Sequence, residues 1–156
     1  MDKKLRIGWF SFTCCEDSTI IFTELLNKYY KEWLQKIEFV HARVLRKENT
    51  KEIKEMDVAF IEGAISSNGQ EAKLKKIREK AKILVAIGSC AINGSPSNQR
   101  NFFNQENIEE IRPILERFKY KEKVLKVSEV VKVDESVPGC PMNETIFLEL
   151  MKKYLI

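Results

Sequence analysis

Short apolar runs alternate with amphipathic stretches along this chain, and that alternation restricts its fold more than any other feature. The runs are rich in branched and aromatic side chains, as is typical of buried strands. Five strands are predicted, at residues 5–10, 37–45, 58–63, 83–87 and 124–133. Helical patterns fill the intervals between them. The sequence therefore predicts an α/β fold, a doubly wound parallel sheet with helices on both faces and hence three layers.

The helical segments carry apolar residues at the spacing of one helix face. They are predicted at residues 18–36, 70–81, 107–117 and 143–154, with Ser18 as the N-cap of the first. Residues 46–56 are polar and could carry a further short helix. Residues 92–103 contain Gly94, Pro96 and three asparagines, so we expect an irregular surface loop there, beside the candidate site.

Composition excludes several classes of protein. Apolar residues make up 44% of the 156 residues and charged residues 32%, with 27 basic and 23 acidic side chains and a net charge of +4. The charges are spread over the predicted helices, so they indicate a solvated surface and no nucleic-acid-binding stripe. No run approaches the roughly 18 apolar residues of a membrane span, and residues 1–4 lack a signal-peptide core. We expect one domain over residues 1–156, in the cytoplasm and without membrane insertion.

The four cysteines all lie at turns. Cys14 and Cys15 follow the first predicted strand, Cys90 follows the fourth, and Cys140 lies within a Pro-Gly-Cys-Pro segment. Because ligands of doubly wound sheets gather at the carboxyl ends of the strands, we expect one site built from three loops. The N-terminus of the following helix should favour the thiolate form of Cys14 and Cys15. Cytoplasmic thiols stay reduced, so this set indicates metal or redox chemistry.

Cysteine spacing distinguishes between the possible metal groups. Tetrahedral thiolate coordination suits zinc or an iron–sulfur cluster. Structural zinc sites usually take ligands in pairs separated by two to four residues, whereas Cys14 and Cys15 are adjacent and Cys90 and Cys140 are solitary. Adjacent thiolates cannot easily bind one small ion, but they can bind different irons of a larger cluster. The spacing favours a cuboidal iron–sulfur cluster; the alternative is four cysteines that serve as small apolar side chains.

Four motifs resemble those of a known family. They are Phe-Thr-Cys-Cys-Glu at residues 12–16, Glu-Gly-Ala at 62–64, Gly-Ser-Cys-Ala at 88–91 and Pro-Gly-Cys-Pro at 138–141. In order, and over essentially the whole chain, they resemble the small subunit of NiFe hydrogenases and, equally, the related subunit of NADH:quinone oxidoreductase (complex I). The resemblance implies a flavodoxin-like domain and a 4Fe–4S cluster bound by Cys14, Cys15, Cys90 and Cys140. It also implies a large catalytic subunit and further electron-transfer subunits as partners.

The sequence departs from the hydrogenase pattern in two places. Hydrogenase small subunits of this kind carry a Cys-x-x-Cys pair, which would put a thiol at Ser18, whereas the complex I subunit uses adjacent cysteines. Either the tandem pair binds the cluster, or Cys15 binds with Ser18 or another ligand opposite; we favour the tandem pair because it supplies four thiols. The chain also stops one helix after Cys140, without an added cluster domain, so we expect electrons to leave through another polypeptide.

Two other functions and three weaker site residues stay open. The chain could be a cluster-free scaffold in which Ser18 marks a lost cluster. It could also be a flavodoxin-like flavin protein, which the cysteines in its first loop disfavour, because a Ser/Thr-rich phosphate loop is expected there. Glu62, at the end of an apolar strand, is a candidate to relay protons or to orient the partner. Glu16 is either functional or a helix N-terminal carboxylate, and His41 is expected to be structural.

Overall fold

Five strands form a parallel sheet in the part of the chain that the structure describes. The computed structural model describes residues 3–45 and 52–156. Its strands are β1 (Leu5–Ser11), β2 (Ile37–Ala42), β3 (Met56–Glu62), β4 (Ile65–Ser67), β5 (Ala81–Ile87), β6 (Tyr120–Leu125) and β7 (Glu135–Val137). The parallel sheet has the order β2-β1-β3-β5-β7, and β4 pairs antiparallel with β6. This is the flavodoxin-like order. From β1 the chain first adds β2 on one side and then adds β3, β5 and β7 on the other, so the switch point of the sheet lies between β1 and β3.

Helices cover both faces of the sheet, which confirms the three-layer α/β prediction. They are α1 (Asp17–Lys28), α2 (Tyr30–Lys36), α3 (Asn68–Lys80), α4 (Gly88–Asn93), α5 (Gln105–Arg117) and α6 (Glu144–Tyr154). Helices α1, α2 and α6 pack on one face, and α3 and α4 on the other. Among the described residues, no helix combines the length and apolar character that crossing a membrane requires.

Aromatic side chains hold α1 and α6 against the sheet. Trp9 of β1 stacks on Phe22 of α1 with 4.3 Å between ring centroids, and Phe147 of α6 meets Trp9 edge-on at 6.1 Å. These side chains are almost fully buried. Truncation of a buried aromatic residue to alanine typically costs about 3–5 kcal/mol, so the cluster fixes the position of α1 firmly. The start of α1 carries part of the candidate site.

The first predicted helix is wrong in its details. Residues 18–36 form two helices, because Tyr29 leaves helical geometry while its N–H still donates to the Leu25 carbonyl. Ser18 is not the N-cap: α1 begins at Asp17, and the N-cap residue is Glu16 in the left-handed conformation (φ 63°). The left-handed residue Glu16 lies directly before α1, so the helix begins earlier than the capping pattern indicates.

The second strand and the segment that follows it differ from the prediction in extent. Strand β2 ends at Ala42, and Arg43–Leu45 form a 3-10 turn. β2 is an edge strand as expected, and His41 stacks on the Phe10 ring at 4.2 Å. Of the predicted short helix at 46–56, residues 46–51 lie outside the described residues, and Met56 already belongs to β3.

The fifth predicted strand is also wrong. Residues 120–125 form β6, which pairs with β4 outside the main sheet, and Val127–Glu129 form a 3-10 turn. The fifth parallel strand is the three-residue β7, which the apolar pattern does not reveal. Asp134 directly precedes β7 and makes two hydrogen bonds with Leu84. Its N–H donates to the Leu84 carbonyl, and its carboxylate accepts from the Leu84 N–H, both at 2.9 Å. Arg78 donates to the same carboxylate at 2.6 Å and lowers the pKa of Asp134.

Candidate functional site

Three loops meet at the carboxyl edge of the sheet and form one cleft. Cys14, Cys15, Cys90 and Cys140 all line it. All four are free thiols: Cys90 is buried, Cys14 is half-buried, and Cys15 and Cys140 are exposed. The structure therefore brings together every cysteine that the sequence predicts for the site. Within residues 3–45 and 52–156, no three His, Cys, Asp or Glu side chains lie close enough together to hold a single metal ion.

The first loop holds Cys14 and Cys15 between β1 and α1. Its backbone is tied to the end of β3, because Thr13 and Ala64 exchange N–H···O bonds of 3.0 and 2.9 Å. Burial raises the pKa of the Cys14 thiol to about 12, and the negative charge of Glu62 contributes to the increase. The expectation that the helix N-terminus favours a Cys14 thiolate is therefore wrong, since burial and the Glu62 charge raise the pKa of Cys14 by more than the hydrogen bond from the Glu16 N–H lowers it. A bound metal would have to displace this proton.

The second loop turns at Gly88 and places Cys90. Gly88 has a φ of +80°, and the N–H of Ser89 donates to the Gly139 carbonyl at 2.8 Å. This bond ties the Cys90 loop to the Cys140 loop directly. The Sγ of Cys90 lies 3.2 Å from the hydroxyl of Ser97, which belongs to the segment after α4.

The third loop carries Cys140 in a tight turn. Gly139 has a φ of +117°, and a Cβ at this position would lie 2.5 Å from the Pro141 carbonyl oxygen. The N–H of Asn143 donates to the Pro138 carbonyl at 2.7 Å and closes the turn before α6. Only glycine accommodates both the backbone angle and the close approach. Four free thiols on three loops that meet in one cleft are a donor set of the kind that binds iron–sulfur clusters, so the residues present fit such a group.

Ser18 and Glu62 connect these loops from the sheet side. The hydroxyl of the buried Ser18 accepts a hydrogen bond from the Met142 N–H at 3.1 Å. The carboxylate of Glu62, which is only 3% exposed, accepts from the Ser18 N–H at 3.0 Å and from the Thr19 hydroxyl at 2.5 Å. Burial raises the pKa of Glu62, and these hydrogen bonds oppose the increase. Both side chains line the cleft and fix the start of α1 relative to the cysteine loops.

Ser97 contacts Cys90 of the cleft, and the sequence does not single it out. Residues 92–103 are predicted to form an irregular loop, but α4 ends at Asn93 and Gln99–Phe102 form a 3-10 turn. Asn101 anchors this turn by two bonds to the Val124 backbone, of 2.8 and 2.7 Å. Nothing in the pattern of residues 92–103 indicates which of their polar side chains contacts Cys90. Glu16, in contrast, is exposed and makes no side-chain capping bond.

Comparison with known proteins gives matches over nearly the whole chain. The sequence profile of the family described as NADH ubiquinone oxidoreductase, 20 Kd subunit, matches residues 14–154. A subunit of the F420-non-reducing hydrogenase vhu of Methanocaldococcus jannaschii is 30% identical over 88% of this chain and 51% of its own length. The corresponding hydrogenase subunit of Methanothermobacter marburgensis is 25% identical over 99% of this chain and 54% of its own length. The chain thus spans about half the length of these curated relatives.

A solved structure resembles the fold closely. A chain of an NAD+-reducing NiFe-hydrogenase, in its H2-reduced state, superposes with a TM-score of 0.82 and 26% sequence identity. The match covers 98% of this chain and 92% of that one. The fold of this chain therefore resembles that of a chain of this hydrogenase over nearly its whole length.

Proposed function

This chain belongs to the family of the NADH ubiquinone oxidoreductase 20 Kd subunit, and we propose that it is an electron-transfer subunit with one 4Fe–4S cluster. In this proposal it works beside the large catalytic subunit of a hydrogenase-like or complex I-like oxidoreductase and passes electrons to further subunits. One observation carries the proposal: four free cysteines from three loops line a single cleft at the carboxyl edge of the sheet.

Cys14, Cys15, Cys90 and Cys140 would hold the cluster, which when bound supplies one-electron transfer. The rest of the chain positions and shields these thiols. Gly139 allows the backbone of the Cys140 loop to close tightly, and the bond from Ser89 to Gly139 keeps the two loops in register. Burial of Cys90 and partial burial of Cys14 keep water from that side of the cleft. Reduced thiols persist in the cytoplasm, which is where the proposal places the subunit.

The partner should cover the cysteine edge, because electron transfer requires the two redox groups to lie close together. Cys15 and Cys140 are exposed at this edge. Ser97 contacts Cys90, and the segment that follows Ser97 carries two exposed aromatic side chains, Phe102 (81% exposed) and Phe103 (44% exposed). Specific interfaces commonly bury more than about 1,000 Å² and concentrate binding energy in such aromatic anchors.

Hydrogen exchange with and without the co-expressed large subunit tests this interface. We expect the partner to protect residues 12–16, 88–91 and 138–141, together with the segment around Phe102. Phe102→Ser should weaken binding about tenfold, as loss of an interface anchor does. Leu34→Ser is the matched control, because Leu34 is 51% exposed but lies beside Lys4 at the opposite end of β1. Protection confined to that opposite edge, with the cysteine loops still exchanging freely, would contradict the proposal.

A further inference from the structure

The Ser97 hydroxyl contacts the Cys90 sulfur and the Thr13 carbonyl oxygen but carries only one proton. Its Oγ lies 3.2 Å from the Sγ of Cys90 and 3.2 Å from the carbonyl oxygen of Thr13. A hydroxyl can donate only one of these bonds at a time. When Cys90 is a thiol, its S–H donates to Ser97 and Ser97 donates to Thr13, so both contacts are satisfied.

Metal binding would change this arrangement because a ligating thiolate has no proton to donate. The Ser97 hydroxyl would then turn its own proton towards the sulfur. The Thr13 carbonyl would lose that donor but keep the Ala64 N–H at 2.9 Å, so its oxygen would still have a partner. A hydrogen bond to an anionic acceptor is about twice as strong as one between neutral groups, so the sulfur is the preferred acceptor.

Ser97 is held in place for this contact by bonds on its own segment. Asn101 is anchored to Val124, and the Arg100 guanidinium donates to the Lys121 carbonyl at 2.8 Å. The Cys90 side chain packs against Ala64 and Val124 in an apolar cluster. Electrostatic interactions are stronger in such surroundings than in water.

We propose that Ser97 is a positioning residue that donates a hydrogen bond to the ligating sulfur of Cys90 and so raises the reduction potential of the cluster. This inference rests on the proposed function. Its physical basis is that a donor on a ligating sulfur stabilises the form with more negative charge, which is the reduced one. Without the hydroxyl, the reduced form loses more stabilisation than the oxidised form does.

Anaerobic redox titration of the partner-bound protein, followed by EPR and visible absorption, tests the inference. We expect the midpoint potential of Ser97→Ala to fall by the equivalent of about a tenfold change in the one-electron equilibrium constant, or about 59 mV. Ser97→Thr keeps the hydroxyl and should retain the wild-type potential. Ser95→Ala is the control in the same segment, because Ser95 is exposed.

Each outcome separates the inference from the proposed function. Equal potentials in wild type and Ser97→Ala would overturn the role of Ser97 but leave the cluster proposal intact, whereas wild-type protein without iron would overturn the cluster proposal itself. If Ser97→Ala cannot hold iron, the potentials of Ser97→Thr and Ser97→Val are compared instead, because these two side chains are similar in size and only threonine has a hydroxyl. We expect the lower potential for the valine variant. Loss of iron from both apolar variants, with Ser97→Thr intact, would overturn the tuning role in favour of a structural one.

Discussion

Replacement of Cys14 or Cys15 with alanine is expected to remove most of the iron from the protein, whereas Ser18→Ala should leave its visible spectrum almost unchanged. The reason is that the adjacent pair completes a set of four thiols, while the Ser18 hydroxyl is already engaged by the Met142 N–H at 3.1 Å. Iron analysis and visible absorption of anaerobically purified variants measure the difference.

Unfolding measurements are the control for this comparison. Ser18→Ala leaves a buried N–H without its partner, so it should lower the free energy of unfolding by about 1–3 kcal/mol while the iron stays bound. The opposite pattern, in which Cys14→Ala keeps its iron and Ser18→Ala loses it, would show that Cys15 and Ser18 form the ligand pair and that the tandem assignment is wrong.

Gly139→Ala is expected to abolish cluster binding and to destabilise the fold. The new Cβ would lie 2.5 Å from the Pro141 carbonyl oxygen and 3.0 Å from the Asn143 nitrogen, at a φ of +117° that side chains rarely adopt. Backbone strain alone costs about 1–3 kcal/mol, and the turn that presents Cys140 cannot keep its shape. Urea unfolding and iron content should both reveal the change.

Gly69→Ala is the matched control for this substitution. Gly69 lies in α3, and its added Cβ would meet nothing closer than the Ser67 hydroxyl at 4.0 Å. Alanine in a helix is favoured over glycine by about 0.5–1 kcal/mol, so this variant should be slightly more stable than wild type. If Gly139→Ala unfolded at the same urea concentration as Gly69→Ala and held as much iron, the account of the Cys140 turn would be wrong.

The parts of the fold that follow apolar patterns could be predicted from the sequence. Strands β1, β3 and β5 lie in the middle of the sheet and are largely buried, so their sequences are continuous apolar runs that predict their ends to within two residues. The convergence of Cys14, Cys90 and Cys140 follows from the same pattern, because each comes after a predicted strand or at a turn. The rule that ligands bind at the carboxyl ends of the strands in such sheets therefore locates the cleft.

The parts that depend on specific polar contacts could not be predicted. Strand β7 is three residues long, and its place beside β5 depends on Asp134 pairing with Leu84 and Arg78. The neighbouring apolar residues from Val124 onward have a stronger strand pattern but pack elsewhere. Ser18 has the pattern of a helix cap or a lost ligand, whereas it bonds to a backbone group 124 residues away. Ser97 lies in the loop predicted beside the site, but nothing in the sequence singles it out, since only the folded chain brings it to Cys90.

The central claim is that Cys14, Cys15, Cys90 and Cys140 hold one 4Fe–4S cluster, and counting iron and acid-labile sulfide tests it most directly. The protein should be purified anaerobically with its partner bound. We expect about four irons and four sulfides per chain, with a broad charge-transfer absorption that dithionite bleaches. A colourless protein without iron or sulfide would contradict the claim and favour a cluster-free scaffold.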